Sequence, residues 1–222
     1  MLMYDVIYSG ARQRITAIAR TLDDEQLGRA VAACPEWTVR ALIAHLCGVA
    51  HDAATGRLDG APGTEWTERH VGERLDRPVE ENLAEWAGFS EKLERGLRSK
   101  KAQLQLVHDI TQHEADLRSA LGLERLPEAA WRPMLEHIGG AVGHYHEQPW
   151  ALVVRADGSE WRIGDGEPAA TVEAEPFELW RGFFGRRSPE QMRAWAWDRT
   201  PDAEHLDAIL VFPARSDALV EN

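Results

Sequence analysis

A chain of 222 residues, 44% hydrophobic and 28% charged, has the composition of a soluble globular protein and the length for one large domain or two small ones. Its formal net charge of −12 excludes the basic footprint that nucleic acid or an anionic membrane surface requires, and no run approaches the ~18 apolar residues of a membrane span. The opening MLMYDVIYSGARQR lacks the order of a signal peptide, and Cys34 and Cys47 give no disulfide framework, so a reducing, cytoplasmic location is expected.

Residues 4–22 carry Ile7, Ala11, Ile15, Ile18 and Leu22 at helical spacing and predict a first helix. The loop Cys34-Pro35-Glu36-Trp37 follows, with Thr38 the expected N-cap of a second helix. That helix sets Val39, Leu42, Ile43, Leu46 and Val49 on one stripe and is expected to end near Gly56. Residues 59–78, rich in Gly, Pro and charge, read as a long connection. A third helix is predicted over 79–98, a fourth over 103–121 stopped by Gly122, and a weaker fifth from Pro127 to about Gly139. After Pro149 the texture changes. Apolar residues cluster around Asp157-Gly158, a hairpin signal. ATVEAE reads as a further strand, PFELWRGFFGRR and SPEQMRAWAW as short helices, and LDAILVF as helix running into strand. The expected fold class is α+β, with a helical bundle over 1–147 and a small α+β domain over 148–222.

The fourth helix contains VHDITQHEADLR, two histidines and three carboxylates in an otherwise amphipathic segment. At roughly 100° per residue, Leu106, Ile110, Leu117 and Leu121 share one arc, His113 falls beside it and Asp109 at its edge. His108 projects to the polar side, Glu114 sits at the other edge of the stripe, and Asp116 lies beyond Asp109. Asp109 and His113 are therefore the inward-facing i, i+4 pair, within reach of one ion. A zinc site needs a third protein ligand, and His45, on the flank of the second helix, offers one; His51 points to the polar side. The same pair also fits a half-buried ion pair, and the wheel alone does not separate the two readings.

With CPEWTVRALIAHL and HEADLRSALG both in view, the chain resembles the mycothiol-dependent maleylpyruvate isomerase family, among the wider DinB-like metal-binding four-helix bundles. Trp37-Thr38-Val39 and Ala44-His45-Leu46 match its first motif, and His113 with Asp116-Leu117 the second. The resemblance implies metal ligation by His45, Asp109 and His113. Asp109 stands where the isomerase has glutamate, one methylene longer, and Ala41 stands where an acid often completes a capping box. DGSEWRIGDGEPAATVEAEPFELWRGFFGRR is similar to the family's small C-terminal domain, related to sterol-carrier-like folds.

The activity so implied is that of a divalent-metal-dependent transferase or isomerase using mycothiol or a similar thiol on a small electrophile, zinc being the expected ion. A coordinated thiol is deprotonated and becomes a nucleophile at neutral pH. Asp116 is expected to orient a ligand or bind thiol donors, or else to form a surface ion pair. Arg186, with Arg187, is the candidate anchor for a substrate carboxylate, against the plainer role of solvated charges at a helix end. His144 and His146 with Glu147 form a second possible cluster, more simply a polar interdomain junction. Trp37 is expected to pack the start of the second helix, and both cysteines to be reduced structural thiols. Two other classes compete: a non-catalytic protein binding a metal and an apolar ligand, and a DinB-like metal-assisted hydrolase.

Overall fold

Capping residues fix the bounds of several helices. A computed structural model of the protein describes residues 4–99, 103–145 and 148–221. Helix α1 spans Tyr4–Ala19, and a one-turn α2, Asp24–Leu27, is held by a capping box between Asp23 and Gln26. At the start of α3 (Val39–Thr55) the Thr38 hydroxyl accepts from Ala41 N, and Gly56 ends the helix at φ 82°, where a side chain would be strained. Next come α4 (Thr64–Arg74), α5 (Val79–Arg98) and α6 (Gln105–Leu121). Gly122, at φ 66°, stops α6 as its position predicts.

The segment expected to be a long connection is thus partly helical. In α4, Trp66, His70 and Arg74 recur every fourth residue and are its buried side chains. Only one of them is a hydrocarbon-rich residue, so a hydrophobic pattern does not reveal this helix. Helices α1, α5, α3 and α6 pack in a closed ring, each against the next, and α4 lies on α3. Tyr8, Ile15, Leu42, Trp86, Ile110 and Leu117 fill the interior. Trp86 Nε1 donates to the Tyr8 hydroxyl at 2.9 Å, so the two large aromatics are buried with their polar atoms paired.

The chain divides into two compact units, Met1–Leu126 and Pro127–Glu221. Helix α7 (Glu128–Ala141), continued by a 3-10 turn over Val142–Tyr145, belongs to the second. The division therefore falls before residue 147, where the texture change after Pro149 had placed the expected boundary. The reason is packing: Trp131 of α7 stacks on Trp180 at 5.6 Å and meets Phe177 edge-on. Strands β1 (Ala151–Ala156), β2 (Ser159–Ile163) and β3 (Pro168–Glu173) follow. The β1–β2 hairpin turns at Asp157-Gly158, both at positive φ, 46° and 81°. After α8 (Pro176–Phe183) and α9 (Pro189–Arg193) comes a two-residue β4, Ala196–Trp197, within a segment expected to be helix, then α10 (Ala203–Asp207). Sheet order is β2-β1-β3-β4, with β1 and β3 parallel and both outer pairings antiparallel. The strand expected after α10 does not form: residues 208–213 run as turn and coil. No helix among the described residues is long and apolar enough to cross a membrane.

Candidate metal centre

The loop before α3 is pinned from both ends. Val31 N donates to Trp37 O at 2.9 Å, Trp37 N to Cys34 O at 2.8 Å, and Val39 N to Arg29 O at 2.9 Å. These bonds set the Trp37 ring 4.7 Å from the His45 ring and 5.6 Å from that of His113. Trp37 therefore does more than pack the start of a helix; it forms a wall beside both imidazoles.

His45 on α3 and Asp109 and His113 on α6 come together. Each histidine brings Nε2 to 3.5 Å from Asp109 Oδ1, and one ligand atom from each residue lies within 4.8 Å of the others. Ligand atoms about 2.1 Å from a tetrahedral zinc stand about 3.4 Å apart, so this spacing suits an ion. Asp109 Oδ2 is buried with no hydrogen-bond partner among the described residues, although the side chain as a whole is 28% exposed. A carboxylate oxygen left in that state is costly unless a cation answers it. Two imidazoles and a carboxylate are a donor set that zinc accepts. The residues present fit a divalent ion.

Electrostatics follow from this crowding. Burial alone raises the Asp109 carboxyl pKa, but the His113 and His45 imidazoles beside it hold it well below the usual carboxylate range. Burial likewise opposes charge on His113, yet Asp109 and then Asp116 outweigh it and keep that imidazole pKa well above its ordinary value. Asp116 is 1% exposed, not a surface residue, and its Oδ2 lies 2.9 Å from His113 Nδ1. The carboxylate can only accept there, so His113 donates from Nδ1, and Nε2, facing Asp109, is the nitrogen whose lone pair would be offered to an ion once its proton is displaced. Cys34 Sγ approaches the same Asp116 oxygen at 3.7 Å, and Cys34, His113 and Asp116 form a second potential ligand group that shares His113 with the first. Cys34 is thus at the edge of the site, whereas burial drives the Cys47 thiol pKa upward and leaves that group inert.

Two residues of this site lie outside the sequence reading. His70, fully buried on α4, places Nδ1 3.4 Å from His45 Nδ1 and Nε2 3.0 Å from Asp52 Oδ2. Burial, against the pull of Asp52, pushes the His70 pKa down to about 4. Asp52 is also fully buried and is met by His51 Nδ1 at 2.9 Å and by Arg69. The signal for His70 was the four-residue spacing of Trp66, His70 and Arg74, which shows a buried face only if polar residues are admitted to it.

Other expectations fare differently. His108 is buried, 6% exposed, not solvated, because α6 packs against both α1 and α3 and has little free surface. It is not in the cluster. Glu114, expected at a stripe edge, is fully buried and held by Arg14 and Arg118. In the second unit Arg187 is buried and committed to Glu178 and Glu221. Half-buried Arg186 donates from Nη1 to Phe184 O at 2.8 Å. His144 is exposed; His146 and Glu147 lie outside the described residues.

Fold and site define a two-part protein, a helical unit built on a ring of four helices with a His/Asp/His cluster of two buried histidines and a half-buried aspartate, and a small α+β unit. The family model described as the mycothiol maleylpyruvate isomerase N-terminal domain matches residues 8–133, and the chain belongs to that family. Crystal structures of the mycothiol-dependent maleylpyruvate isomerase and of a histidine-to-alanine mutant of it are similar in fold, each with a TM-score of 0.57. They are 15% and 14% identical in sequence, over 92% of this chain and 96% of theirs. No curated protein matches the chain.

Proposed function

We infer that this protein is a divalent-metal- and thiol-dependent isomerase or transferase acting on a small electrophile, with His45, Asp109 and His113 as ligands of a zinc ion. The observation that carries this reading is the convergence of two imidazole Nε2 atoms on one oxygen of Asp109, whose other oxygen is buried without a partner among the described residues. When bound, a divalent ion supplies the Lewis acidity that makes a thiol nucleophilic at neutral pH. The family and the similar structures carry mycothiol and maleylpyruvate in their names, which supports mycothiol or a similar thiol as cosubstrate.

The chain's own residues have definable tasks. Asp116 holds His113 in one tautomer, and Trp37 presents an apolar wall beside both imidazoles. Arg186 is the proposed anchor for a substrate carboxylate, because a guanidinium fork matches a carboxylate. A thiolate that adds to an electrophilic alkene, permits rotation about the new single bond and leaves by elimination is regenerated. A reducing, cytoplasmic setting is part of the same proposal, since a low-molecular-weight thiol cosubstrate is kept reduced there.

Protein purified without chelator should carry about one zinc per chain by elemental analysis. In the cobalt-substituted protein, mycothiol should induce a sulfur-to-metal charge-transfer band, and turnover of an activated cis-alkene should require the thiol. Thiol-independent hydrolysis, inhibited by the thiol, would overturn the thiol mechanism and leave the metal site standing. Retention of an apolar ligand with no turnover would point instead to a binding protein.

A further inference from the structure

We propose that His70 and Asp52 are positioning residues that fix the tautomer and direction of His45, an inference that rests on His45 being a metal ligand. His45, Gly48 and Asp52 stand at i, i+3 and i+7 on α3 and so share one face of that helix. The His70 ring from α4 lies across this face and bridges the other two side chains. It can do so because residue 48 is glycine: a Cβ there would sit 2.5 Å from both Cβ and Cγ of His70. Trp66 closes the other side, its ring 4.1 Å from that of His70 and nearly perpendicular.

The polarity of the chain of hydrogen bonds is set from its far end. Asp52 is fully buried, and His51 Nδ1, Arg69 and His70 Nε2 all converge on its carboxylate. A carboxylate accepts, so His70 donates from Nε2 and its Nδ1 is left as an acceptor. The group facing that acceptor at 3.4 Å is His45 Nδ1, which must therefore donate. A neutral imidazole that donates from Nδ1 carries its lone pair on Nε2, and His45 Nε2 is the atom that faces Asp109. His113 is oriented in the same sense by Asp116. Both imidazoles of the cluster thus have a buried partner behind them, one a carboxylate directly and the other a carboxylate acting through a second histidine.

The test uses the full chain. His70→Phe keeps a ring in the same space and removes both nitrogens, whereas His70→Gln restores an acceptor and a donor. Zinc affinity, measured by competition with a chromophoric chelator, should fall about 10- to 100-fold in His70→Phe and recover most of the loss in His70→Gln. The cobalt(II) d–d spectrum should change in the first variant and return toward the parent in the second. Nitrogen-15 NMR of the zinc-loaded parent should find His45 protonated on Nδ1 and His70 on Nε2, a readout independent of whether His70→Phe folds. Parental zinc affinity and cobalt spectrum in His70→Phe, or a proton on His70 Nδ1 in the parent, would overturn this inference alone. A parent chain that binds no zinc would overturn the metal reading and this inference with it.

Discussion

His108 and His113 are nearly equal in burial, 6% and 7% exposed, five residues apart on one helix. What separates them is direction: His113 carries Nε2 to Asp109 and Nδ1 to Asp116, while His108 is outside the cluster. His113→Ala deletes a donor and should lose the zinc. His108→Ala should keep about one zinc per chain. It should lower stability by about 1–3 kcal/mol, the ordinary cost of emptying a buried side-chain site. Elemental analysis with thermal melts of the two variants reads both effects, and zinc lost only from His108→Ala would assign the ligand to the wrong neighbour. The Asp109–His113 pair was legible because i, i+4 spacing on a helix brings two side chains to one face whatever surrounds them. The pairing of His70 with His45 was not legible, because the two are 25 residues apart and meet only when α4 lies on α3.

At the level of the element, buried charge takes the place that hydrocarbon occupies elsewhere. In α8, Arg181 is fully buried and forms a bidentate pair with Glu221. The same carboxylate accepts from buried Arg187, which also grips Glu178. Glu221 therefore serves two arginines, Arg181 on α8 and Arg187 between α8 and α9, and ties the segment around it to the rest of the second unit. Glu221→Ala leaves both guanidiniums short of a shared partner and should cost on the order of 3 kcal/mol. The conservative Glu221→Asp should cost less. Chemical denaturation of the full chain, followed through tryptophan fluorescence of the second unit, measures both; a loss below about 1 kcal/mol would mean the network behaves like an exposed one.

Across the whole molecule, all three candidate ligands and their partners Asp52, His70 and Asp116 lie within Met1–Leu126. A fragment ending at Leu126 should therefore remain helical by circular dichroism and bind zinc. A fragment ending near residue 147 instead carries α7 without the second-unit core that Trp131 joins, exposing an apolar helix face and favouring association. Light scattering and zinc titration of the two fragments compare them directly. An unfolded shorter fragment beside a folded longer one would show that α7 is needed by the bundle.

Helix positions and their ends were written locally: Thr38 and Gly56 bound α3, Gly122 ends α6, and Asp157-Gly158 turns the first hairpin. Each depends on a backbone angle or a short-range hydrogen bond, which the residue itself imposes. The family motifs likewise sit in contiguous stretches around His45 and His113. Tertiary structure decided what no local rule contains. It gave α4 a buried face through one aromatic and two polar residues, and gave α7 to the second unit because aromatic partners wait there. It buried His108 by packing α6 on two sides, and left the strand after α10 unformed. Burial is a property of neighbours distant in the chain, so a periodic pattern can announce that a helix has a face without saying what that face will meet.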